Sequence, residues 1–191
     1  MSQEHNNIAI FASGNGSNAQ NIVAYFEGNT NIKPKLFLTN KSDAYVIERA
    51  KSLAIPCFVF TAKELRDSSK ITNILKDYSI DFIVLAGFLL RIPQELITLF
   101  PNKIVNIHPA LLPKYGGKGM YGDFVHQAVK EAGEKETGIT IHYVNECYDE
   151  GQIIFQKSVS LTEKDTPSSI AEKVHALEYE YFPKVINEVL S

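Results

Sequence analysis

The chain predicts an α/β fold: a doubly wound, mostly parallel sheet with helices on both faces. Three observations lead there. Short, nearly uniform apolar runs alternate with longer amphipathic ones, and a strand covered on both faces must be apolar along its whole length. A length of 191 residues, with 45% hydrophobic and 21% charged side chains, suits one soluble globular domain spanning 1–191. Glycine-rich or proline-broken segments fall where strands end, which is where open α/β sheets carry their ligands.

The elements follow in order. Met1 to Asn7 is polar and predicts a flexible tail, and Ile8-Ala9-Ile10-Phe11-Ala12 then reads as the first buried strand. Asn18 to Phe26 reads as helix, Lys35 to Thr39 as strand, Asp43 to Leu53 as helix and Cys57 to Phe60 as strand. Ser68 to Tyr78 predicts another helix, and Phe82-Ile83-Val84-Leu85-Ala86 is the most uniformly apolar strand. A short helix around Gln94 to Phe100 leads into Ile104 to His108, which completes the series. After Pro109 the rhythm changes to a long loop, a helix from Asp123 to Ala132, and strands at Ile139–Val144 and Gln152–Ser160. The final helix opens at Asp165-Thr166-Pro167-Ser168, where a capping residue precedes a proline suited to the first turn. Ile170, Val174, Leu177, Tyr181, Val185 and Val189 give it an apolar stripe, and Pro183 predicts a kink.

Charge and cysteine usage narrow the function. The formal net charge of −3 argues against a nucleic-acid footprint, which shows as a basic face. Small anionic substrates need only backbone amides and a few cations. Cys57 and Cys147 lie far apart with no metal-ligand spacing, so free thiols in a reducing cytoplasm are expected and no metal is. The polar start lacks a basic segment followed by an apolar one, and no run reaches membrane-spanning length. Small-molecule partners are therefore expected, with no nucleic acid and no membrane; monomer and homodimer stay open.

Three segments carry chemistry. Asn106 and His108 sit two residues apart on a strand, so the amide and the imidazole project from the same face, and Pro109 ends the strand there. An uncharged double donor beside a group that titrates near neutrality suits acyl transfer: one steadies an oxyanion, the other moves a proton. A strand end with two polar caps is the plainer alternative. Asp149 lies in the polar, glycine-closed turn Asn145-Glu146-Cys147-Tyr148-Asp149-Glu150-Gly151, from which it can return to the top of the sheet. There it would favour the His108 imidazolium and raise its pKa; otherwise it bonds its own turn. The loop Ser13-Gly14-Asn15-Gly16-Ser17-Asn18 joins the first strand to the first helix. Its glycines permit a close backbone approach, and the helix start offers amides to an anion. It matches neither the P-loop nor the dinucleotide fingerprint, so a phosphate monoester is the expected ligand, against a tight turn with Ser17 or Asn18 as helix cap.

These segments, with Val84-Leu-Ala-Gly-Phe88, Asn106-Ile-His-Pro-Ala-Leu-Leu-Pro113, Gly138-Ile-Thr-Ile-His-Tyr-Val144 and Asp149-Glu-Gly151, resemble the folate-dependent formyltransferases over nearly the whole chain. The Ser13–Asn18 loop narrows the resemblance to the branch that acts on glycinamide ribonucleotide. It implies a Rossmann-like fold, 10-formyltetrahydrofolate as co-substrate, and transfer of its formyl group to the glycinamide amine in purine synthesis. It further implies that Asn106, His108 and Asp149 are catalytic, and that Gly14, Asn15, Gly16, Ser17 and Asn18 hold the ribose phosphate. Glu178 matches a residue that contacts the ribosyl-glycinamide, although a half-exposed helix glutamate is the alternative reading. Leu89, Leu90, Arg91 and Ile92, with Asn106, match the folate strip; Arg91 faces either the glutamate tail or solvent. The strip is one residue longer here than in many members, and Gly116–Gly122 replaces a histidine-rich stretch. His126 and His142 read as ordinary helix and strand residues, with His175 a weaker substrate-site candidate. Hydrolysis of 10-formyltetrahydrofolate, and a non-catalytic phosphate- or folate-binding domain, remain the rival functions.

Overall fold

Seven strands form one sheet in the order β3-β2-β1-β4-β5-β6-β7, in a computed structural model that describes residues 5–191. The strands are β1 (Asn6–Phe11), β2 (Ile32–Thr39), β3 (Cys57–Val59), β4 (Phe82–Leu85), β5 (Ile104–His108), β6 (Glu136–Tyr143) and β7 (Ile153–Ser160). The first five run parallel, and β6 and β7 extend the sheet in the antiparallel sense. The helices are α1 (Ser17–Tyr25), α2 (Val46–Ser52), α3 (Ala62–Asp67), α4 (Ser69–Asp77), α5 (Gln94–Leu99), α6 (Asp123–Glu131) and α7 (Pro167–Leu190).

The period of two along each strand sorts the core into two layers. Ile8, Ile10, Val84 and Val105 face one side, where Ile22 of α1, Val46 of α2, Val129 of α6 and Val174 of α7 pack on them. Ala9, Phe11, Leu38, Ile83 and Ile104 face the other, under Leu65 of α3, Leu75 of α4 and Leu96 of α5. Helices therefore cover both faces, as the continuous apolar strands require. The strand order reverses between β1 and β4, and the loops leaving β1, β4 and β5 open at that point.

Several expectations are corrected. The tail expected over 1–7 gives way at Asn6, where β1 begins: Asn6 pairs with Ile32, and the Asn7 backbone amide donates to Asp81 Oδ2 at 2.9 Å. Residues 1–4 lie outside the described residues. Helix α3 was not anticipated. Its capping box is nevertheless present in the sequence: Thr61 accepts from the Glu64 amide, and the Glu64 carboxylate accepts from the Thr61 amide. The hydrogen bond from Lys70, with those from the Thr61 amide and hydroxyl, holds the Glu64 carboxylate down at about 2. The buried face of α7 is Ile170, Val174, Glu178, Phe182, Val185 and Ile186, rotated from the expected stripe, with Leu177, Tyr181 and Val189 half-buried at its margin. Helix α7 runs past Pro183, which is itself buried and has no amide to give the Tyr179 carbonyl; that carbonyl accepts from Asn21 Nδ2 instead. Thr166 caps the start of α7, as its position before Pro167 predicts. Among the described residues no helix is long and apolar enough to cross a membrane.

Candidate active site

A cleft of about 450 Å³ lies over the carboxyl ends of β1, β4 and β5. At one end is the glycine loop. Gly16 adopts φ 74°, and a Cβ there would meet Val46 Cγ2 at 2.5 Å, so only glycine lets α2 close on the loop. The Val46 amide donates to the Gly14 carbonyl (3.1 Å), and Arg49 Nε donates to the Asn15 carbonyl (2.8 Å). The start of α1 carries no side-chain cap, so neither Ser17 nor Asn18 caps it as the tight-turn alternative required. Ser13 is buried and ties three strand ends together. Its hydroxyl donates to Asn40 Oδ1 (2.6 Å) and accepts from the Leu89 amide (3.0 Å).

At the other end, Asn106 and His108 project from β5, and Asp149 reaches them from the loop between β6 and β7. His108 Nδ1 is 3.5 Å from Asp149 Oδ2, too long for a good direct hydrogen bond but within ion-pair range. His108 Nε2 donates to the Tyr115 carbonyl at 2.7 Å, which leaves Nδ1 as the position where a proton is gained. Asp149 is held in the left-handed region at φ 57° and also accepts from the Gly117 amide at 2.9 Å. Gly116 is the point of closest approach, since a Cβ there would meet Leu112 Cδ2 at 2.5 Å and Asp149 Cβ at 3.3 Å. Thr140 fastens the chain after His108: its hydroxyl donates to the Ala110 carbonyl (2.7 Å) and accepts from the Leu112 amide (3.0 Å).

The electrostatics reverse one expectation. Burial pushes His108 below the ordinary histidine range, although Asp149 and the Tyr115 carbonyl pull the other way. His108 is therefore neutral at neutral pH, not the imidazolium that a nearby carboxylate alone would favour. Burial would raise Asp149, but the neighbouring histidine rings and the hydrogen bond from the Gly117 amide hold it below the usual aspartate range.

His142 is a participant that sequence reading passed over. The antiparallel pairing of β5 and β6 sets it opposite Asn106. Its Nδ1 donates to the Tyr143 carbonyl (2.8 Å), which leaves Nε2 to accept from Asn106 Nδ2 at 3.1 Å. One amide proton of Asn106 is thereby fixed, and the second is left to serve a ligand. His142 Nε2 also stands 3.6 Å from Asp149 Oδ1. His126 of α6 is buried in the cleft wall, and its Nδ1 has no hydrogen-bond partner among the described residues.

Glu178, on the buried face of α7, lines the same cleft and accepts on Oε2 from Asn18 Nδ2 (2.8 Å) and His175 Nδ1 (2.9 Å). The expected folate strip divides. Leu89 lines the main cleft, whereas Leu90, Arg91 and Ile92 line an adjoining cavity of about 60 Å³ that shares Asn106 and Asp149 with it.

Comparison with known proteins adds the family. The Formyl transferase family matches residues 6–186. The chain belongs to the formyl transferase family. It is 40% identical over 188 residues to phosphoribosylglycinamide formyltransferase of Bacillus subtilis, a match covering 96% of this chain and 94% of that protein. A chloroplastic phosphoribosylglycinamide formyltransferase of Arabidopsis thaliana is 42% identical across 95% of this chain, which spans only 64% of its length. Glycinamide ribonucleotide transformylase 1 of Geobacillus kaustophilus superposes with a TM-score of 0.89 at 35% identity, covering 98% of this chain and 100% of that one. The seven-stranded sheet is thus an architecture this formyl transferase shares with a solved relative.

Proposed function

We infer that this chain transfers the formyl group of 10-formyltetrahydrofolate to the amine of 5-phosphoribosylglycinamide, a step of purine synthesis. The observation that carries the reading is the meeting of an amide, an imidazole and a carboxylate at one end of a cleft whose other end is an uncapped glycine loop. The family match over 6–186 supports treating the chain as one formyltransferase domain.

In this reading the amides of Gly14–Asn18 receive the ribose phosphate, where unpaired N–H groups and the α1 dipole favour an anion. Glu178, with Oε2 already engaged, turns Oε1 to the ribosyl-glycinamide. The formyl donor lies along Leu89–Ile92 and brings its carbonyl to Asn106. The neutral amine attacks the formyl carbon. The free N–H of Asn106 then stabilises the oxyanion, a contribution of about 2.7–4 kcal/mol for such donors.

Neutral His108 takes up the proton that the amine sheds, directly or through water, at Nδ1. The imidazolium is held by Asp149 on one side and the Tyr115 carbonyl on the other. Collapse of the tetrahedral intermediate returns that proton to the departing folate nitrogen. His108 is in this account a proton carrier, and Asn106 is the oxyanion donor. No covalent enzyme intermediate is required.

The test is to incubate the purified protein with both substrates and follow formylated ribonucleotide and free formate separately. Transfer predicts ribonucleotide-dependent loss of the formyl donor with stoichiometric formylated product. Formate release at the same rate without ribonucleotide would make the protein a hydrolase instead.

A further inference from the structure

The clamp around Glu178 goes beyond the proton machinery. Its members come from opposite ends of the chain: Asn18 opens α1 beside the phosphate loop, while His175 and Glu178 lie one turn apart on α7. Both hydrogen bonds converge on the same oxygen, Oε2. A carboxylate fixed at one oxygen by two donors cannot rotate freely, so its second oxygen takes a defined direction. A second tie, from Asn21 Nδ2 to the Tyr179 carbonyl (2.9 Å), keeps α1 and α7 in register next to it.

Resting on the function inferred above, we propose that His175 is a positioning residue for the ribonucleotide: it holds Glu178 in the orientation that reads the ribosyl-glycinamide, and the strength of that hold follows its protonation. The geometry suits the role. Glu178 is buried whereas the His175 ring is half exposed, so the histidine can exchange protons with solvent while the carboxylate it steers stays in the cleft wall. Its ring stacks on Tyr179, with centroids 6.3 Å apart and planes at 18°, which limits ring rotation.

The charged surroundings are few. Facing His175 are Glu178 and Tyr179 of its own helix and Asp123 and His126 of α6, while α1 presents the uncharged Asn18. The hydrogen bond that His175 donates to Glu178 raises His175 above the ordinary histidine range against the opposing effect of burial, and Asp123 adds to it. His126 is pushed down by burial and by His175 itself, so it is the neutral member of the pair. As pH rises through the elevated value of His175, the charged bond to Glu178 becomes a neutral one, which is weaker.

Steady-state kinetics of wild type, His175→Ala and His175→Gln, from about pH 6 to about pH 9, test this across the histidine range. The alanine variant should raise the ribonucleotide KM about tenfold near neutral pH, the size of losing one hydrogen bond to a charged group. Its kcat and folate KM should stay within about twofold, because Asn106, His108 and Asp149 are untouched. The wild-type ribonucleotide KM should climb with pH, and that climb should be absent in His175→Ala. His175→Gln, which keeps a donor but cannot ionise, should recover part of the lost binding without recovering the pH dependence. A ribonucleotide KM in His175→Ala equal to wild type at every pH would overturn the proposal. So would parallel losses in both KM values, kcat and melting temperature, which mark a merely structural role. Calorimetric titration of wild type and both variants with ribose 5-phosphate repeats the comparison without turnover, so that a failure of the transferase assignment is not confused with a failure of the clamp.

Discussion

The two ends of the cleft are prepared for their tasks in opposite ways. At the catalytic end the polar groups are engaged with one another: Asn106 with His142, His108 with the Tyr115 carbonyl, Asp149 with the Gly117 amide and both histidines. At the glycine-loop end the backbone is pinned by α2, yet the start of α1 has no side-chain cap. In the proposed reaction, one end orients side chains whose protonation changes, and the other offers a pinned backbone turn to the ribose phosphate. The difference teaches which property each end protects, proton affinity in the first and shape in the second. Substitutions should therefore separate into turnover effects and binding or stability effects.

Asn106→Ala gives the largest separation. It should lower kcat by about 10²–10³ while leaving the ribonucleotide KM nearly unchanged, as read by initial rates with each substrate varied. Gly16→Ala strikes the opposite end. The left-handed φ and the clash with Val46 should cost about 1–3 kcal/mol of stability, measured by chemical denaturation, and the ribonucleotide KM should rise with it. If Gly16→Ala instead left stability and KM intact while reducing kcat, the contrast between the ends would fail.

His142→Phe sharpens the comparison within the catalytic end. It fills the same space but frees the Asn106 amide to rotate, and should lower kcat by about 3- to 10-fold, the worth of one ordinary hydrogen bond. Turnover equal to wild type would mean that Asn106 is oriented by something else.

The pH profile gives the smallest effect and the clearest sign. His108 must be neutral to accept a proton, so kcat/KM should fall on the acid side with an apparent pKa below the ordinary histidine value of about 6.5. Asp149→Asn removes the charge that pulls His108 upward, so whatever activity persists should show that limb at still lower pH. Stability follows the same direction. Both His108 and Asp149 are depressed in the folded protein, so their contributions are present at neutral pH and are lost on acidification, through the histidine first and the aspartate afterwards.

Much of this was legible in the sequence, and the reasons differ by element. Uniformly apolar strands such as Phe82–Leu85 announce burial on both faces, and helices do cover both. Asn106 and His108 were legible as a pair because a period of two needs no tertiary information. The meeting with Asp149 was less so, since it depends on a loop folding back across β6. His142 was not legible as a partner of Asn106 at all: their contact exists only because β6 pairs antiparallel to β5 in one particular register. The proton affinity of His108 was misjudged for a related reason. A nearby carboxylate can be guessed from residue types, whereas the burial that outweighs it exists only once the chain has folded around the ring. Helix α3 was legible through Thr61 and Glu64, but six residues are too few to show a periodic stripe.

The central claim of the proposed reaction is that Asp149 acts through His108, by steadying the imidazolium that forms when His108 takes the proton. A double-mutant cycle on kcat with His108→Ala, Asp149→Ala and the pair measures this directly. That dependence predicts that the double variant is scarcely slower than the slower single one, with a coupling energy of at least about 1 kcal/mol. Losses that simply add would contradict it, because a carboxylate whose task is to steady the His108 imidazolium has nothing to steady once the imidazole is gone.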